Sequence, residues 1–234
     1  MLIKGYKLAR PILNVLAPDS CIVCGDLSEL VCDKCLSGIH YKKPESCYRC
    51  NRLSVDFKTC NTCRKHSSLA RVVVASNYQD YVQNLIYSLK YANSISAATP
   101  LARLIYSMYA DDSLSTKYDL LIPAPTSASN IRRRGYCQAE IITAELAKLT
   151  GIKTANVLYK LGKTSQVGSD RSTRISQVRD SIYTMKSSER IDIKDKRILL
   201  VDDVVTTGAT LNECAKVLKS IGVAKIEAAV VAKN

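Results

Sequence analysis

Two consecutive carboxylates, Asp202 and Asp203, end an unbroken apolar run from Ile198 to Val201, and Thr206-Thr207-Gly208-Ala209-Thr210 follows them. Acids in this position suit sugar hydroxyls or a magnesium ion. The small-residue stretch suits a phosphate: amides at a helix start, a glycine that permits close approach and three threonine hydroxyls form an anion cradle without a lysine. Carboxylates would repel that phosphate unless they serve another part of the ligand, so the pattern points to a phosphorylated sugar. The elements that must hold these groups can be read beside them. A leucine and β-branched run without alternation predicts a strand buried on both faces, and Leu211, Cys214, Ala215 and Leu218 recur at helical spacing. Strand, loop and helix in that order place the acids at the carboxyl edge of a parallel sheet, where such sheets bind ligands. A receiver-type magnesium site also uses paired acids after a strand, but that strand opens its domain, whereas only about thirty residues follow this one.

A second chemistry lies in the cysteines. Eight of the ten form Cys-x-x-Cys pairs, Cys21/Cys24, Cys32/Cys35, Cys47/Cys50 and Cys60/Cys63. Each pair puts two thiolates on one tight turn, half of a tetrahedral zinc site, and two structural zinc ions are expected. Disulfides would need an oxidising compartment, and the apolar stretch from Ile12 to Ala17 is short, carries Asn14 and is bounded by Pro11 and Pro18, unlike a secretory leader. The expected location is therefore the cytoplasm. Sequential pairing, first pair with second and third with fourth, fits two compact ribbons; a crossed pairing is equally legal chemically.

The third candidate follows Asp119-Leu120-Leu121-Ile122-Pro123-Ala124-Pro125, a further buried strand halted by prolines. Beyond Thr126, Ser127 and Ser129 come Arg132, Arg133, Arg134 and Gly135, and arginines at a strand edge suit pyrophosphate or a nucleic-acid backbone. Residues 160–180 carry Lys160, Lys163, Arg171, Arg174 and Arg179 among Ser, Thr and Gln, a long cationic stretch that reads either as an ordinary exposed connection or, as its length and charge favour, as a lid over a ligand.

Around these sites, strands are expected at 72–75, 119–125, 198–201 and 226–232, and helices at 82–91, 97–109 and 136–149. Alternation of this kind predicts an α/β fold with a parallel sheet flanked by helices. Residues 1–18 have the spacing of a short amphipathic helix. The domain expectation is an N-terminal helix and double zinc ribbon over 1–66 and a sheet domain over 67–234. The net charge is +13, and residues 1–71 hold twelve Lys and Arg against six Asp and Glu, or +6 of that total. Polyanions are the expected partners, with Tyr41, Tyr48 and Phe57 as aromatic groups available for stacking in the ribbon. No apolar run reaches transmembrane length.

The run from Ile198 to Thr210 resembles the phosphoribosyl pyrophosphate (PRPP) loop of type I phosphoribosyltransferases. That resemblance implies ribose contacts and a catalytic role for Asp202 and Asp203, 5′-phosphate contacts for Thr206, Thr207, Gly208, Ala209 and Thr210, and magnesium bound with PRPP. With the cysteine module, Lys90-Tyr91, Arg134-Gly135-Tyr136 and Lys163, Thr164 and Gln166, nearly the whole chain resembles the ComF family, which usually has asparagine where Cys137 stands. The family resemblance implies a zinc ribbon joined to a phosphoribosyltransferase domain, Arg134 as a further PRPP contact, and a part in DNA uptake during natural transformation with single-stranded DNA as partner. A phosphoribosyltransferase of nucleotide metabolism or salvage, with an unidentified acceptor, is the alternative.

Overall fold

The computed structural model describes residues 20–27, 29–39, 45–109, 113–160, 182–184 and 193–234. The helix expected over 1–18 and nearly all of the expected lid lie outside these residues. The chain divides into two compact units, Met1–His40 and Tyr41–Asn234. The second cysteine cluster thus belongs with the sheet.

In the smaller unit, Cys21, Cys24, Cys32 and Cys35 form one group; Cys32 is the N-cap of a short helix, α1 (Asp33–Ser37), and Cys35 lies within it. The larger unit begins with the second cysteine cluster and α2 (Asn61–Arg64). Its centre is a parallel sheet with spatial order β1-β7-β6-β2-β3. These strands are β1 (Val72–Asn77), β2 (Leu120–Pro123), β3 (Lys153–Thr154), β6 (Arg197–Val205) and β7 (Lys225–Lys233). β4 (Leu158–Lys160) and β5 (Ile182–Thr184) form a separate antiparallel pair.

Hydrophobic pattern explains the layers. Ile198, Leu199, Leu200 and Val201 of β6 are fully buried, as are Ala228 to Ala232 of β7, because helices cover both faces of the central strands. Helix α3 (Asp80–Tyr91) buries Val82, Leu85, Ile86 and Leu89, one stripe at three- and four-residue spacing. Helices α4 (Ala98–Ser107) and α7 (Gln138–Thr150) supply Leu101, Leu104, Ile105, Ile142 and Leu146 to the same core. Each such side chain contributes roughly 1.5–3 kcal/mol when withdrawn from water. Helix α5 (Ser113–Lys117) precedes β2, α6 (Ala128–Arg134) follows it, and α8 (Ala209–Ser220) connects β6 to β7.

The sheet's amino-terminal end carries a buried polar network. Glu227 accepts a hydrogen bond from the Tyr118 hydroxyl and pairs with Lys225 at 2.8 Å; Arg71 lies 3.9 Å from Glu227 and 2.5 Å from Asp56. Burial raises the Tyr118 phenol above its usual range, and the neighbouring Tyr109 and Glu227 act in the same direction.

One expectation changes in detail. β6 continues through Asp202 and Asp203 to Val205 instead of ending at Val201. The reason is one-sided pairing: β7 accompanies β6 to Val205↔Lys233, whereas β2 stops at Pro123↔Val201. The acids are therefore within a strand yet beyond the end of its neighbour, which opens one side of them.

Candidate functional site

The site is assembled where β2 ends. Asp203 is buried, and its carboxylate meets the Lys90 ammonium at 2.8 Å. Lys90 comes from the last turn of α3, whose position is set by the buried stripe on the same helix. Asp202 accepts the amide hydrogen of Asp203 at 2.9 Å. Burial, then the charge of Asp203, pushes the Asp202 carboxyl up to about 8, while the Asp203 amide, Lys90 and Lys160 pull in the opposite direction. Two adjacent acids in a sparsely hydrated place favour a neutral member until a cation arrives. A divalent ion or a set of sugar hydroxyls would relieve that conflict, so the donor set suits a magnesium-associated sugar.

The loop beyond the acids has the shape of an anion cradle. Thr206 and Thr207 are exposed, and Gly208 takes a left-handed conformation with φ of 72° as the N-cap of α8. Helix α8 is twelve residues long, and its first-turn amides have no acceptor within the helix, so they and the helix dipole face the loop. Thr207 Oγ1 accepts the Ala209 amide at 3.4 Å, and Thr210 is half-buried in the first turn. Thr206, Thr207, Gly208, Ala209 and Thr210 thus lie in one turn at the carboxyl edge of β6.

Arg134 closes α6. Its Nη1 donates to Gln138 Oε1 at 2.7 Å, and its guanidinium lies 5.2 Å from the ring centroid of Tyr91. Its buried Nε has no hydrogen-bond partner among the described residues. Arg133 lies 5.7 Å from the same ring, and Tyr91 is 4.9 Å from Tyr87; both tyrosines are more than half exposed. The Tyr136 hydroxyl donates to Leu89 O at 2.6 Å, which fastens this arginine segment to α3 beside Lys90. Cys137 is buried, with its thiol donating to Ala124 O at 3.6 Å; burial raises its pKa to about 11, as expected of a packing residue.

The cysteines form two groups, Cys21, Cys24, Cys32 and Cys35, and Cys47, Cys50, Cys60 and Cys63, with the sulfur atoms of each within 4.8 Å of one another. Sequential pairing is what the structure displays. A tetrahedral ion with Zn–S bonds of about 2.3 Å requires sulfur–sulfur edges of about 3.8 Å. Cys24 and Cys32 lie 3.7 Å apart and Cys50 and Cys60 3.6 Å, so both groups fit zinc. The Cys32 amide donates to Cys21 Sγ at 3.4 Å and leads in lowering that thiol to about 6. Burial opposes the same change at Cys47, yet the amides of Cys60, Arg49 and Cys50 carry it down to about 6. Such amides favour thiolates, the form that binds metal.

Three features escape a reading of sequence alone. Lys90 stands out only as part of a Lys-Tyr pair, without a role, and its pairing with Asp203 is tertiary. Lys160, expected in the lid, sits in β4 near enough to Asp202 to stabilise its charge. Tyr48 and Phe57, expected as stacking groups, are buried instead, because the ribbon packs them into the larger unit. The Tyr48 ring lies against Gly208, where an added Cβ would come 2.2 Å from Tyr48 Cε2.

Residues 130–234 match the family described as Phosphoribosyl transferase domain. Competence protein F of Haemophilus influenzae is 27% identical over 84% of this chain and 93% of its own length. Competence protein ComFC of Streptococcus pneumoniae is 23% identical over 94% of each. The chain is thus similar to competence proteins of the ComF type and carries a match to the phosphoribosyltransferase domain. Its fold is the phosphoribosyltransferase-like parallel sheet between helices, together with two four-cysteine clusters. Among solved structures, a purine phosphoribosyltransferase from Pyrococcus horikoshii is 21% identical over 62% of this chain and 75% of that one, with a TM-score of 0.34. No helix among the described residues is long and apolar enough to cross a membrane.

Proposed function

We propose that this ComF-like protein binds PRPP with magnesium and acts on or alongside single-stranded DNA during DNA uptake. The observation that carries the sugar-phosphate part is the juxtaposition of Asp202 and Asp203 with the glycine-capped start of α8. In this reading the two acids take the ribose hydroxyls and the magnesium, and residues 206–210 take the 5′-phosphate. Arg134, whose Nε is without a partner among the described residues, serves the pyrophosphate. Lys90 holds Asp203 in place before the ligand arrives. If the chain turns over, an acceptor nucleophile attacks the anomeric carbon as its bond to pyrophosphate breaks. Positioning and charge stabilisation would supply most of the rate, since pyrophosphate is already a good leaving group. Asp202 and Asp203 then act by holding the ribose as positive charge develops on it.

Two observations support the DNA part. The net charge of +13 favours a polyanion, and exposed Tyr87 and Tyr91 beside Arg133 and Arg134 offer aromatic faces and cations together. The names of the competence proteins of Haemophilus and Streptococcus point the same way. Eight thiolates held for zinc suit a reducing compartment, hence the cytoplasm. The alternative, a nucleotide-salvage transferase, retains the same PRPP site with a different acceptor.

Calorimetric titration of the zinc-loaded protein with PRPP and magnesium tests the reading. Binding by the native chain, lost in Asp202→Asn with Asp203→Asn, is the expected result. Equal affinity in both proteins refutes the ribose assignment, and no heat in either refutes PRPP as ligand.

A further inference from the structure

We propose that Tyr48 is a positioning residue for the 206–210 loop, so that metal in the second cysteine cluster governs the geometry of the sugar-phosphate site. This inference rests on reading that loop as the sugar-phosphate site. Tyr48 stands between Cys47 and Cys50, inside a turn whose two ends are metal ligands. Tyr48, 1% exposed, lies with one edge of its ring against Gly208. Glycine occupies positive and negative φ almost equally, so the residue that shapes the cradle is also the one least able to hold its own conformation. The ring supplies the missing constraint by filling the space on one side of it.

Further contacts fix the ring and the helix to the same frame. The Tyr48 hydroxyl shares a hydrogen bond with Ser67 Oγ at 2.7 Å, and Ser67 Oγ accepts the Leu69 amide at 3.1 Å. The Ser68 amide donates to Asn212 Oδ1 at 2.8 Å, in the first turn of α8. Lys233, at the end of β7, donates to Cys47 O at 3.4 Å and also to Asn51 Oδ1. The cysteine turn is thus tied to the loop, the helix behind it and the strand beside it. Zinc fixes the backbone of such a turn, and its loss releases the turn. Release would withdraw the ring from Gly208 and leave the cradle without its wall. A four-cysteine metal site then becomes a condition for ligand binding some 160 residues further along the chain.

The test uses the full zinc-loaded chain with Tyr48→Phe, Tyr48→Leu and Tyr48→Ala, measuring zinc content, amide exchange across 206–212, and PRPP-magnesium affinity by calorimetry. Tyr48→Phe keeps the ring and loses only the Ser67 hydrogen bond, and should stay within about threefold of the native protein in exchange and affinity. Tyr48→Ala should keep two zinc ions per chain, yet exchange the loop amides faster and bind about tenfold or more weakly, because the cradle is no longer held in register. If the alanine variant does not fold, Tyr48→Leu, which retains bulk without a flat face, should give an intermediate loss of protection. Unchanged exchange across 206–212 in the alanine or leucine variant overturns the proposal, as does a phenylalanine variant no better than the alanine one. If the native chain binds no PRPP, the ligand reading fails while the exchange measurement still decides whether Tyr48 positions the loop.

Discussion

Gly208→Ala offers a quantitative test of the contact between ribbon and loop. The substitution has two costs that can be separated. A left-handed backbone with φ of 72° costs an alanine roughly 1–2 kcal/mol. In addition, the new methyl would come 2.2 Å from Cε2 and 2.6 Å from Cδ2 of Tyr48, a buried ring that must shift to admit it. Overpacking of that sort costs about 1–3 kcal/mol, for a total of roughly 2–5 kcal/mol. Gly151, at the end of α7, is the control: its φ is 70° and an added Cβ meets nothing within 4 Å. Gly151→Ala should therefore lose only the backbone part, about 1–2 kcal/mol. Urea unfolding of the zinc-loaded proteins reads both, and the excess at Gly208 should largely disappear in a Tyr48→Ala background, as a double-mutant cycle for touching residues requires. Equal losses at Gly208 and Gly151, or an excess untouched by removal of the ring, would refute the reasoning.

Other expectations follow from the same geometry. Replacing Cys21, Cys24, Cys32 and Cys35 with serine should lower bound zinc from two ions per chain to one, measured by atomic emission; loss of both would mean that ligands are shared between the clusters. The affinity for PRPP-magnesium should rise with pH toward a plateau above about 8, because Asp202 must release its proton to serve as a carboxylate. Asp202→Asn should remove that component of the slope, which calorimetry in buffers of different ionisation enthalpy reports as lost proton release. The same group acts oppositely on folding. It keeps a proton in the folded chain and loses it in the unfolded one between about pH 4 and 8, so its contribution to stability falls as pH rises through that window. Tyr118→Phe should cost about 1–3 kcal/mol in urea unfolding, because Glu227 loses a buried donor while keeping Lys225; no loss would show that the network is satisfied without the phenol.

The most legible parts of the molecule were those written in local pattern. The uninterrupted Ile198–Val201 run announced a strand covered on both faces, and the spacing of Leu211, Cys214, Ala215 and Leu218 announced α8 behind it. Four Cys-x-x-Cys pairs announced two clusters that could hold metal, but the spacing left sequential and crossed pairing open; only the three-dimensional closeness of the sulfurs distinguishes them. The extension of β6 through its acids depends on where β2 and β7 end, which no property of Asp202 or Asp203 encodes. Lys90 with Asp203, and Tyr48 with Gly208, are contacts between distant segments. Tyr48 was misread for a clear physical reason: an aromatic in a basic metal turn has the composition of a stacking platform, whether it faces solvent or its own domain. Its burial could be learned only from the surface on which the ribbon rests.

The most direct test of the central claim is a crystal structure of the zinc-loaded chain with PRPP and magnesium. The account predicts the 5′-phosphate on the amides and hydroxyls of residues 206–210, the ribose hydroxyls on Asp202 and Asp203, and the Tyr48 ring still against Gly208. A phosphate bound elsewhere, with Asp202 and Asp203 facing only Lys90 and solvent, would contradict it.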